Sequence, residues 1–369
     1  MSEEVLVSTR KGLFIVEGAG AQARVTRSLF LGDYVALALA DSRDGCWYVA
    51  LHHGHFGVKL HRSENKGQSW QEIAAPAYPP KPEGFWDRDI WGQERSWKTQ
   101  GIWALERASA SGSAGSLWCG TAPGGLFRSE DRGASWELVE PLWQHPQRVL
   151  WQGGGGDHAA LHSICVDPRD PRVITIAVST GGVWRTSNGG DSWEPRTSGM
   201  HANYVPPDWA ELSVAQDPHR IVQCRAEPDV WWCQHHEGVW RSVDDTQSWQ
   251  RVEIRPSSFG FAAAVHPRDG KTAWFVPSDS DQRRAPTTGE VVVTRTRDGG
   301  QSFDILCEGL PQQLAYDLVL RHALSIHEDG EQLAFGSSTG HLWVTTDQGD
   351  HWHAVAGHLP PIYAVTHAC

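Results

Sequence analysis

The sequence predicts an all-β fold, a propeller of seven four-stranded blades, and two observations lead to this prediction. The first is a short motif that recurs six times: Ser or Thr, an acidic or amide residue two places on, usually Gly four places on, and an aromatic residue seven places on. The copies lie at 63–70, 129–136, 186–193, 242–249, 296–303 and 345–352. The second is period-two alternation of apolar residues between the copies, which is typical of strands. This near-regular repeat predicts one blade per copy.

Each motif predicts a tight turn between two strands. The Asp or Asn side chain can accept backbone N–H groups within the turn, and Gly supplies the positive φ that the turn needs. Thr246 replaces Gly in the fourth copy, so we expect that turn to be more strained or differently shaped. The closing Trp or Phe is expected to pack in the core, and we therefore expect the motifs to be structural.

A hairpin with its own recurring pattern precedes most motifs: an alternating strand, a small polar turn, then Gly, an aliphatic and an aromatic residue. Upstream of several hairpins, another strand is expected to end in an Asp-Pro or His-Pro turn, at 167–170, 217–219 and 266–270. Four strands per blade follow. The predicted blades of this single domain, 1–369, are 1–30 with 361–369, 31–78, 99–140, 157–198, 209–255, 258–308 and 315–357.

The seventh blade is predicted from the two ends of the chain. The opening hairpin at 5–16 has no motif and no strand before it, and the chain closes on a lone strand at 362–365. We predict that this closing strand becomes the innermost strand of the first blade, because ring closure removes exposed strand edges. The alternative is an open or six-bladed ring with a dangling first hairpin.

The composition of the chain indicates which partners it disfavours and in which cellular compartment we expect the protein. A net charge of −12 argues against nucleic acid or an anionic membrane as a partner. The sequence shows no apolar stretch of membrane-spanning length and no basic-then-apolar signal, so we expect a cytoplasmic protein. The seven cysteines are odd in number, have no CxxC spacing and are expected to be buried reduced thiols. The 20 Trp residues are expected to pack mostly between blades.

Four segments are expected to share the face opposite the motifs, where the second-to-third-strand hairpins and the inter-blade connections lie. They are 74–103, 141–162, the blade-five hairpin 233–238 with its blade-two counterpart 52–57, and the enlarged blade-six hairpin 278–290. Long loops on a rigid scaffold are where binding and catalytic residues concentrate.

The residue types in these segments predict an acid–base site, of hydrolase or lyase type, for a small polar or sugar-like ligand. Titratable pairs transfer protons, arginines hold anionic groups, and Trp faces stack on the apolar side of a ligand. The candidate catalytic residues are Asp157, His158, His162, Glu211 and Glu94. The candidate ligand-binding residues are Arg88, Arg95, Arg321, Trp86, Trp91, Trp151, Gln234, His236 and Tyr204. With a period of two, His158 and His162 would point to the same side.

Two alternatives stay open beside the acid–base enzyme. Imidazoles on facing hairpins could hold a divalent metal ion, with His52, His53, His235 and His236 as ligands, although no HExxH or other specific ligand spacing is present. A non-catalytic module could instead bind a ligand or receive a protein partner on the Trp-rich loops. An enzyme needs acid, base and anchor around one concavity, whereas an assembly module needs a broad, flatter apolar patch.

The repeated motif resembles the Asp-box (BNR) repeat of sialidases, sortilin-type receptors and photosystem II assembly factors. In that family the box is structural, between the third and fourth strands of a blade. The runs 151–163, 234–242, 259–261 with 266–267, and 359–361 resemble a bacterial, sialidase-like BNR family of unsettled activity. Members tend to have Gln-Asn-His at the position of 234–236 and a His in the fifth inner strand, where Leu212 stands here. The resemblance implies a propeller; a true sialidase is not expected, since Arg-Ile-Pro is absent.

Overall fold

The structure is a computed structural model and describes residues 4–89, 92–108, 114–153 and 158–368. Over these residues the strands form seven four-stranded antiparallel sheets, which are the blades of a closed ring. The predicted seven-bladed propeller is confirmed. In the described part of the chain, every helix is too short or too polar to cross a bilayer.

The first three blades follow one another from the N-terminal end. Blade one contains β1 (Glu4–Thr9), β2 (Gly12–Glu17) and β3 (Arg24–Leu29). Blade two contains β4 (Val35–Asp41), β5 (Cys46–His52), β6 (Val58–Ser63) and β7 (Gln71–Ile73). Blade three contains β8 (Gly101–Arg107), β9 (Leu117–Ala122), β10 (Leu126–Ser129) and β11 (Glu137–Leu138).

The next four blades repeat the same order. Blade four contains β12 (Ala160–Val166), β13 (Ile174–Ser179), β14 (Gly182–Thr186) and β15 (Glu194–Pro195). Blade five contains β16 (Pro218–Gln223), β17 (Trp231–His235), β18 (Gly238–Ser242) and β19 (Gln250–Val252). Blade six contains β20 (Gly260–His266), β21 (Asp269–Pro277), β22 (Val293–Thr296) and β23 (Asp304–Leu306). Blade seven contains β24 (Leu324–Ile326), β25 (Leu333–Gly336), β26 (Leu342–Thr345) and β27 (His353–Ala356).

Short helices occupy the connections. The one described α-helix is α1 (Glu140–Trp143). The described 3₁₀ turns are Gly20–Gln22, Gly54–Phe56, Pro146–Leu150, Pro207–Trp209, Ser213–Ala215 and Thr287–Gly289. The hairpins between second and third strands and the inter-blade connections lie on one face of the ring, which we call the loop face.

The chain closes as predicted, through β28 (Ile362–Ala368) at the inner edge of blade one. This strand pairs antiparallel with β1, from Glu4 opposite Ala368 to Thr9 opposite Ile362. Ile362 is fully buried and packs with apolar residues of blades one and seven. The first and last strands therefore share one sheet, and the inner edge of blade one is paired.

The repeated motif forms the predicted turn. In the first copy, Ser63 Oγ accepts the N–H of Gly67 at 2.8 Å and donates to Asn65 Oδ1 at 2.9 Å. The fourth copy keeps both bonds, through Ser242, although Thr246 stands in place of Gly. Thr246 adopts φ 64°, in the left-handed region that disfavours a β-branched side chain. The turn thus keeps its shape and places the strain on Thr246.

One predicted turn is wrong. The turns at 167–170 and 266–270 do end inner strands, since β12 ends at Val166 and β20 at His266. Residues 217–219 instead open inner strand β16 on the loop face, because the preceding residues form the 3₁₀ turn Ser213–Ala215 and not a strand. Leu212, which the resemblance placed in the fifth inner strand, lies before that turn.

Candidate functional site

The inner strands of blades one to six each gain one residue near their loop-face ends. In blades one and two the extra residue is Tyr363 in β28 and Ala36 in β4. The extra residue is Trp103 in β8, His162 in β12 and His219 in β16, and in β20 the extra residue lies between Gly260 and Ala263. A bulge turns a side chain out of the regular alternation of a strand. Trp103 and His162 thereby line the central channel, a cavity of about 380 Å³ inside the ring.

Four polar residues meet at the loop-face mouth of this channel, and we call them the Asp217 cluster: Asp217, His219, His236 and Arg321. Asp217 and His219 open β16, and His236 lies in the hairpin between β17 and β18. Asp217 Oδ2 lies 3.6 Å from His219 Nε2 and 3.6 Å from His236 Nδ1. Two imidazoles therefore flank one carboxylate.

The ring of His219 is held in one orientation. Its Nδ1 lies 2.6 Å from the carbonyl oxygen of Gly260, so Nδ1 carries the proton and Nε2 presents its lone pair to Asp217. The ring stacks on Phe261, with centroids 4.6 Å apart and an interplanar angle of 16°. His219 is thus a buried, fixed imidazole with one free acceptor atom.

Asp217 is fixed by the neighbouring hairpins. Its Oδ1 accepts a hydrogen bond from Ser179 Oγ at 3.0 Å, in the hairpin of blade four. Its backbone N–H lies 3.0 Å from Nε2 of His235, a fully buried histidine of β17. His235 Nδ1 in turn lies 3.0 Å from the backbone N–H of Glu237. A neutral imidazole accepts at one nitrogen only, so one of these two backbone N–H groups donates to His235, and this bond assigns His235 a positioning role.

Arg321 reaches the cluster from the connection that precedes β24. Its guanidinium lies over the faces of Trp103 and Phe261, at 5.4 and 5.3 Å from the ring centroids. Its Nη2 lies 3.4 Å from Ser179 Oγ, and its buried Nε has no hydrogen-bond partner among the described residues. Within those residues, no carboxylate lies in ion-pair range of Arg321. The cation is therefore held by aromatic faces with its N–H groups largely free.

The charges of the cluster follow from burial and proximity. Burial raises the pKa of the Asp217 carboxyl, but the contact with His219 and the positive charge of Arg321 outweigh it and hold this pKa below its ordinary value. Burial lowers the pKa of His219 in spite of the nearby carboxylate. At neutral pH the cluster thus holds an anionic Asp217, a neutral His219 and a cationic Arg321.

One side of the cluster opens to solvent. The side chain of His236 is 23% exposed, and its Nε2 lies 3.7 Å from Oδ2 of the more exposed Asp281 in the blade-six hairpin. The ring of Tyr204 packs edge-on against His236 at 4.8 Å. Arg284 lies over the Phe261 ring at 5.5 Å. His236, aromatic rings and a second cation therefore surround the entrance.

Several predicted ligand-binding residues lie at this mouth. His236 and Arg321 belong to the cluster, and Tyr204 contacts it. Gln234 is buried just beneath, where its amide donates to three backbone carbonyls, so it supports the hairpin.

The two predicted catalytic histidines of blade four lie apart. His162 is fully buried, its Nε2 lies 2.7 Å from the carbonyl of Pro218, and burial lowers its pKa well below the ordinary value. His158 precedes β12, and its Nε2 lies 2.7 Å from Gln100 Nε2. The bulge at His162 removes the period-two relation between them. His162 thus lies beneath the cluster as a neutral, hydrogen-bonded side chain.

Protein groups take up most charges of the segment between blades two and three, partly within the segment and partly in residues 148–151. Glu94, Arg95 and Trp151 line a pocket of about 170 Å³ between blades three and four. Glu94 pairs with a lysine of the same segment, and the guanidinium of Arg95 donates to backbone carbonyls, including that of Trp151. Arg88 lies over the exposed Trp86 ring at 4.9 Å. This pocket is separate from the cluster.

The remaining predicted residues lie elsewhere. Glu211 is exposed in the connection before β16. Asp157 and Trp91 lie outside the described residues.

The histidines predicted as metal ligands do not gather as a set of four. His53 Nδ1 lies 3.7 Å from Asp33 Oδ1, and the ring of His52 packs on Tyr34 at 5.5 Å. The ring nitrogens of His235 face the backbone N–H groups of Asp217 and Glu237. Among the described residues, the group of three with metal-ligand spacing is Asp217, His219 and His236, whose ligand atoms all lie within 4.8 Å of one another.

Sequence reasoning missed Asp217, His219 and Ser179. Asp217 and His219 fall in the turn predicted at 217–219 after an inner strand, and Ser179 is not among the candidate residues. The sequence carries no local signal for the difference, because an Asp-Pro pair that follows a strand and one that precedes a strand look alike.

Comparison with known proteins shows the fold. No family model and no curated protein matches the chain. Among solved structures, a functionally unknown protein from Desulfotomaculum acetoxidans is 11% identical, with full coverage of both chains and a TM-score of 0.57. YCF48 from Cyanidioschyzon merolae is 12% identical over 87% of this chain and 84% of its own, with a TM-score of 0.53.

An ancestral GH74 enzyme is 16% identical over 86% of this chain, with a TM-score of 0.55. This chain spans 38% of the length of that enzyme. At such identities the similarity shows a shared propeller architecture and assigns no activity.

Proposed function

We propose that the protein is a hydrolase- or lyase-type enzyme that acts on a small anionic, polar or carbohydrate-like ligand at the loop-face mouth of the channel. The observation that supports this most is the Asp217 cluster. It combines a buried carboxylate between two imidazoles with a half-buried guanidinium that has no counter-ion among the described residues. Titratable groups and an anion anchor around one concavity are what an acid–base site requires.

Arg321 is the proposed anchor of the ligand. Its guanidinium is held over two aromatic faces, so its N–H groups can donate to a carboxylate or phosphate without first breaking an ion pair. Arg284, which lies over the same Phe261 ring at 5.5 Å, would add charge at the rim. A ligand with at least one anionic group follows from this pair.

His236 is the proposed proton-transfer residue. Its Nδ1 faces the ionised Asp217 and its Nε2 points toward the open side. A carboxylate placed behind an imidazole orients the ring and stabilises the imidazolium that forms when the ring takes a proton. At 3.6 Å, beyond hydrogen-bond length, Asp217 would stabilise that imidazolium by its charge, and Ser179 and His235 would keep Asp217 in place.

We also propose that the chain belongs to the sialidase-like Asp-box (BNR) propellers and works in the cytoplasm. The hydrogen-bonded turns of the six motifs support the first proposal. The free state of the six described cysteines is typical of a reducing compartment and supports the second. The GH74 neighbour shares the fold alone, so the reaction class rests on the cluster.

The second candidate function is a protein-binding module on the loop face. Phe85 and Trp86, 48% and 77% exposed, favour this alternative because large exposed aromatics are typical of binding surfaces. In this case the cluster would bind a ligand without turnover or have no ligand.

The test begins with a thermal-shift screen of aldonates, uronates, lactones and sugar phosphates, followed by turnover assays on the ligands that stabilise the protein. We expect anionic sugars to stabilise wild type and His236→Ala to lower kcat by about 10²–10⁴. Arg321→Met should mainly raise KM. The matched control is His201→Ala, an exposed histidine of the preceding connection.

Two results would reject the proposal. If no anionic ligand stabilises the protein and none is turned over, the protein-binding module becomes the better account. If turnover is found but persists in both His236→Ala and Arg321→Met, the enzyme acts at another site.

A further inference from the structure

The Asp217 cluster has a second property that acid–base chemistry alone does not require. Three of its potential ligand atoms, Asp217 Oδ2, His219 Nε2 and His236 Nδ1, converge on one point. The carboxylate oxygen lies 3.6 Å from each imidazole nitrogen, and all three atoms lie within 4.8 Å of one another. These separations are too long for hydrogen bonds.

The separations match a shared metal ion better. Ligands at about 2.0–2.1 Å from a tetrahedral zinc ion lie about 3.4 Å from one another. The measured 3.6 Å between the carboxylate and each imidazole is within a few tenths of an ångström of that value. Small movements of His236, the partly exposed member, would complete the geometry.

We infer that Asp217, His219 and His236 bind one divalent transition-metal ion, which leaves at least one coordination position open toward the solvent side. This inference deepens the proposed function, since the ion would occupy the same site; with the ion bound, His236 would act as a ligand and no longer as the proton-transfer residue.

The surroundings of the ligands are those of a metal centre. The second nitrogen of His219 donates to the carbonyl of Gly260, and the second oxygen of Asp217 accepts from Ser179. Metal-binding histidines and carboxylates are held by outer contacts of this kind, which fix the tautomer and the orientation. The free lone pair of His219 is therefore directed at the proposed ion.

The ligand set selects the class of metal. Two imidazoles and one carboxylate suit Zn²⁺, Co²⁺, Mn²⁺ or Fe²⁺, whereas Mg²⁺ and Ca²⁺ prefer oxygen ligands alone. Arg321 lies outside ion-pair range of Asp217 among the described residues, so it does not take up the carboxylate. An ion with an open position next to Arg321 would suit an anion that bridges the two, such as a sugar acid.

The test is a titration of untagged, chelator-treated protein with Co²⁺ and Zn²⁺, followed by calorimetry and by Co²⁺ visible absorption. We expect one equivalent of either ion to bind and Mg²⁺ not to compete. His219→Gln and His236→Ala should each weaken binding by at least about 100-fold, beyond the range of an outer-shell contact. Ser179→Ala should weaken it about tenfold, as an outer-shell contact does.

The matched control is His341→Ala. His341 Nδ1 lies 2.7 Å from Asp317 Oδ1 in blade seven, a single histidine–aspartate pair that should leave metal binding unchanged. Circular dichroism confirms that each variant is folded. The inference is overturned if wild type binds less than a stoichiometric amount, or if both cluster variants bind as wild type does.

Metal binding is measured without turnover, so the metal site and the enzyme activity can each be rejected independently of the other. Stoichiometric binding without turnover of any ligand would leave the metal site standing and reject the enzyme. Turnover by chelator-treated protein that binds no Co²⁺ or Zn²⁺ would reject the metal site and leave the acid–base enzyme standing.

Discussion

Acid should destabilise this propeller through His235 in a way that a single substitution can isolate. The side chain of His235 is fully buried, and each of its ring nitrogens lies 3.0 Å from a backbone N–H. A cationic ring would direct two N–H groups at two other N–H donors in the core. Burial accordingly lowers the pKa of His235 to about 3.

The magnitude follows from proton linkage. The unfolded chain binds a proton at His235 below a pKa of about 6.5, whereas the folded chain does not until about 3. The unfolded state therefore gains protons first, and stability falls as the pH falls through this window. Between pH 7 and pH 5, His235 alone should lower the free energy of unfolding by about 2 kcal/mol.

The assay is urea unfolding followed by Trp fluorescence at pH 7, 6 and 5, for wild type and His235→Gln. The variant lacks the titrating group, so its stability should depend less on pH by about 1 kcal/mol per pH unit, whatever its absolute stability. His351→Gln is the opposite control, because Asp347 raises the pKa of the exposed His351 and its removal should make the acid loss steeper. Equal slopes for wild type and His235→Gln would refute the reasoning.

Three further predictions concern stability. Thr246→Gly should raise the free energy of unfolding by about 1 kcal/mol, because residue 246 has a positive φ. The reciprocal Gly190→Thr should lower it by a similar amount for the same reason. Thermal unfolding of both variants checks this. Ile362→Ala should lower the free energy of unfolding by about 2–5 kcal/mol, because it opens a cavity where the ring closes. Urea unfolding would measure this loss. Asp87→Ala should lower the free energy of unfolding by about 3–5 kcal/mol, because it leaves the buried Arg148, 2.8 Å away, without its carboxylate partner. Limited proteolysis should then cut the segment 74–100 sooner.

The blades could be predicted because their signals are local. The motif fixes its own turn within seven residues, by a hydroxyl such as Ser63 and an amide such as Asn65, so six copies reveal the period without knowledge of the packing. The ring closure followed from an unpaired hairpin and a leftover strand at 362–365. These features depend on backbone hydrogen bonds close in sequence, and the structure confirms them.

The site could be predicted only in part, because its members come from separate blades. His236, Arg321 and Tyr204 were candidates on account of residue type and loop position. Asp217 and His219 were not, since an Asp-Pro pair after an inner strand and one before it look alike in sequence. The difference arises from the 3₁₀ turn Ser213–Ala215, which delays the start of β16.

The bulges explain how polar and aromatic side chains reach this mouth. A regular inner strand would alternate its side chains between the two faces of its blade, and each histidine or aromatic there would pack in the core. One extra residue near the loop-face end re-aims a single side chain per blade. In this way Trp103, His162 and His219 leave the alternation, and Phe261 meets both His219 and Arg321. The side chain that stands at the bulge, which differs from blade to blade, therefore decides which groups reach the mouth, and deleting His219 to restore regular pairing in β16 should preserve the ring while removing the proposed metal and ligand binding together.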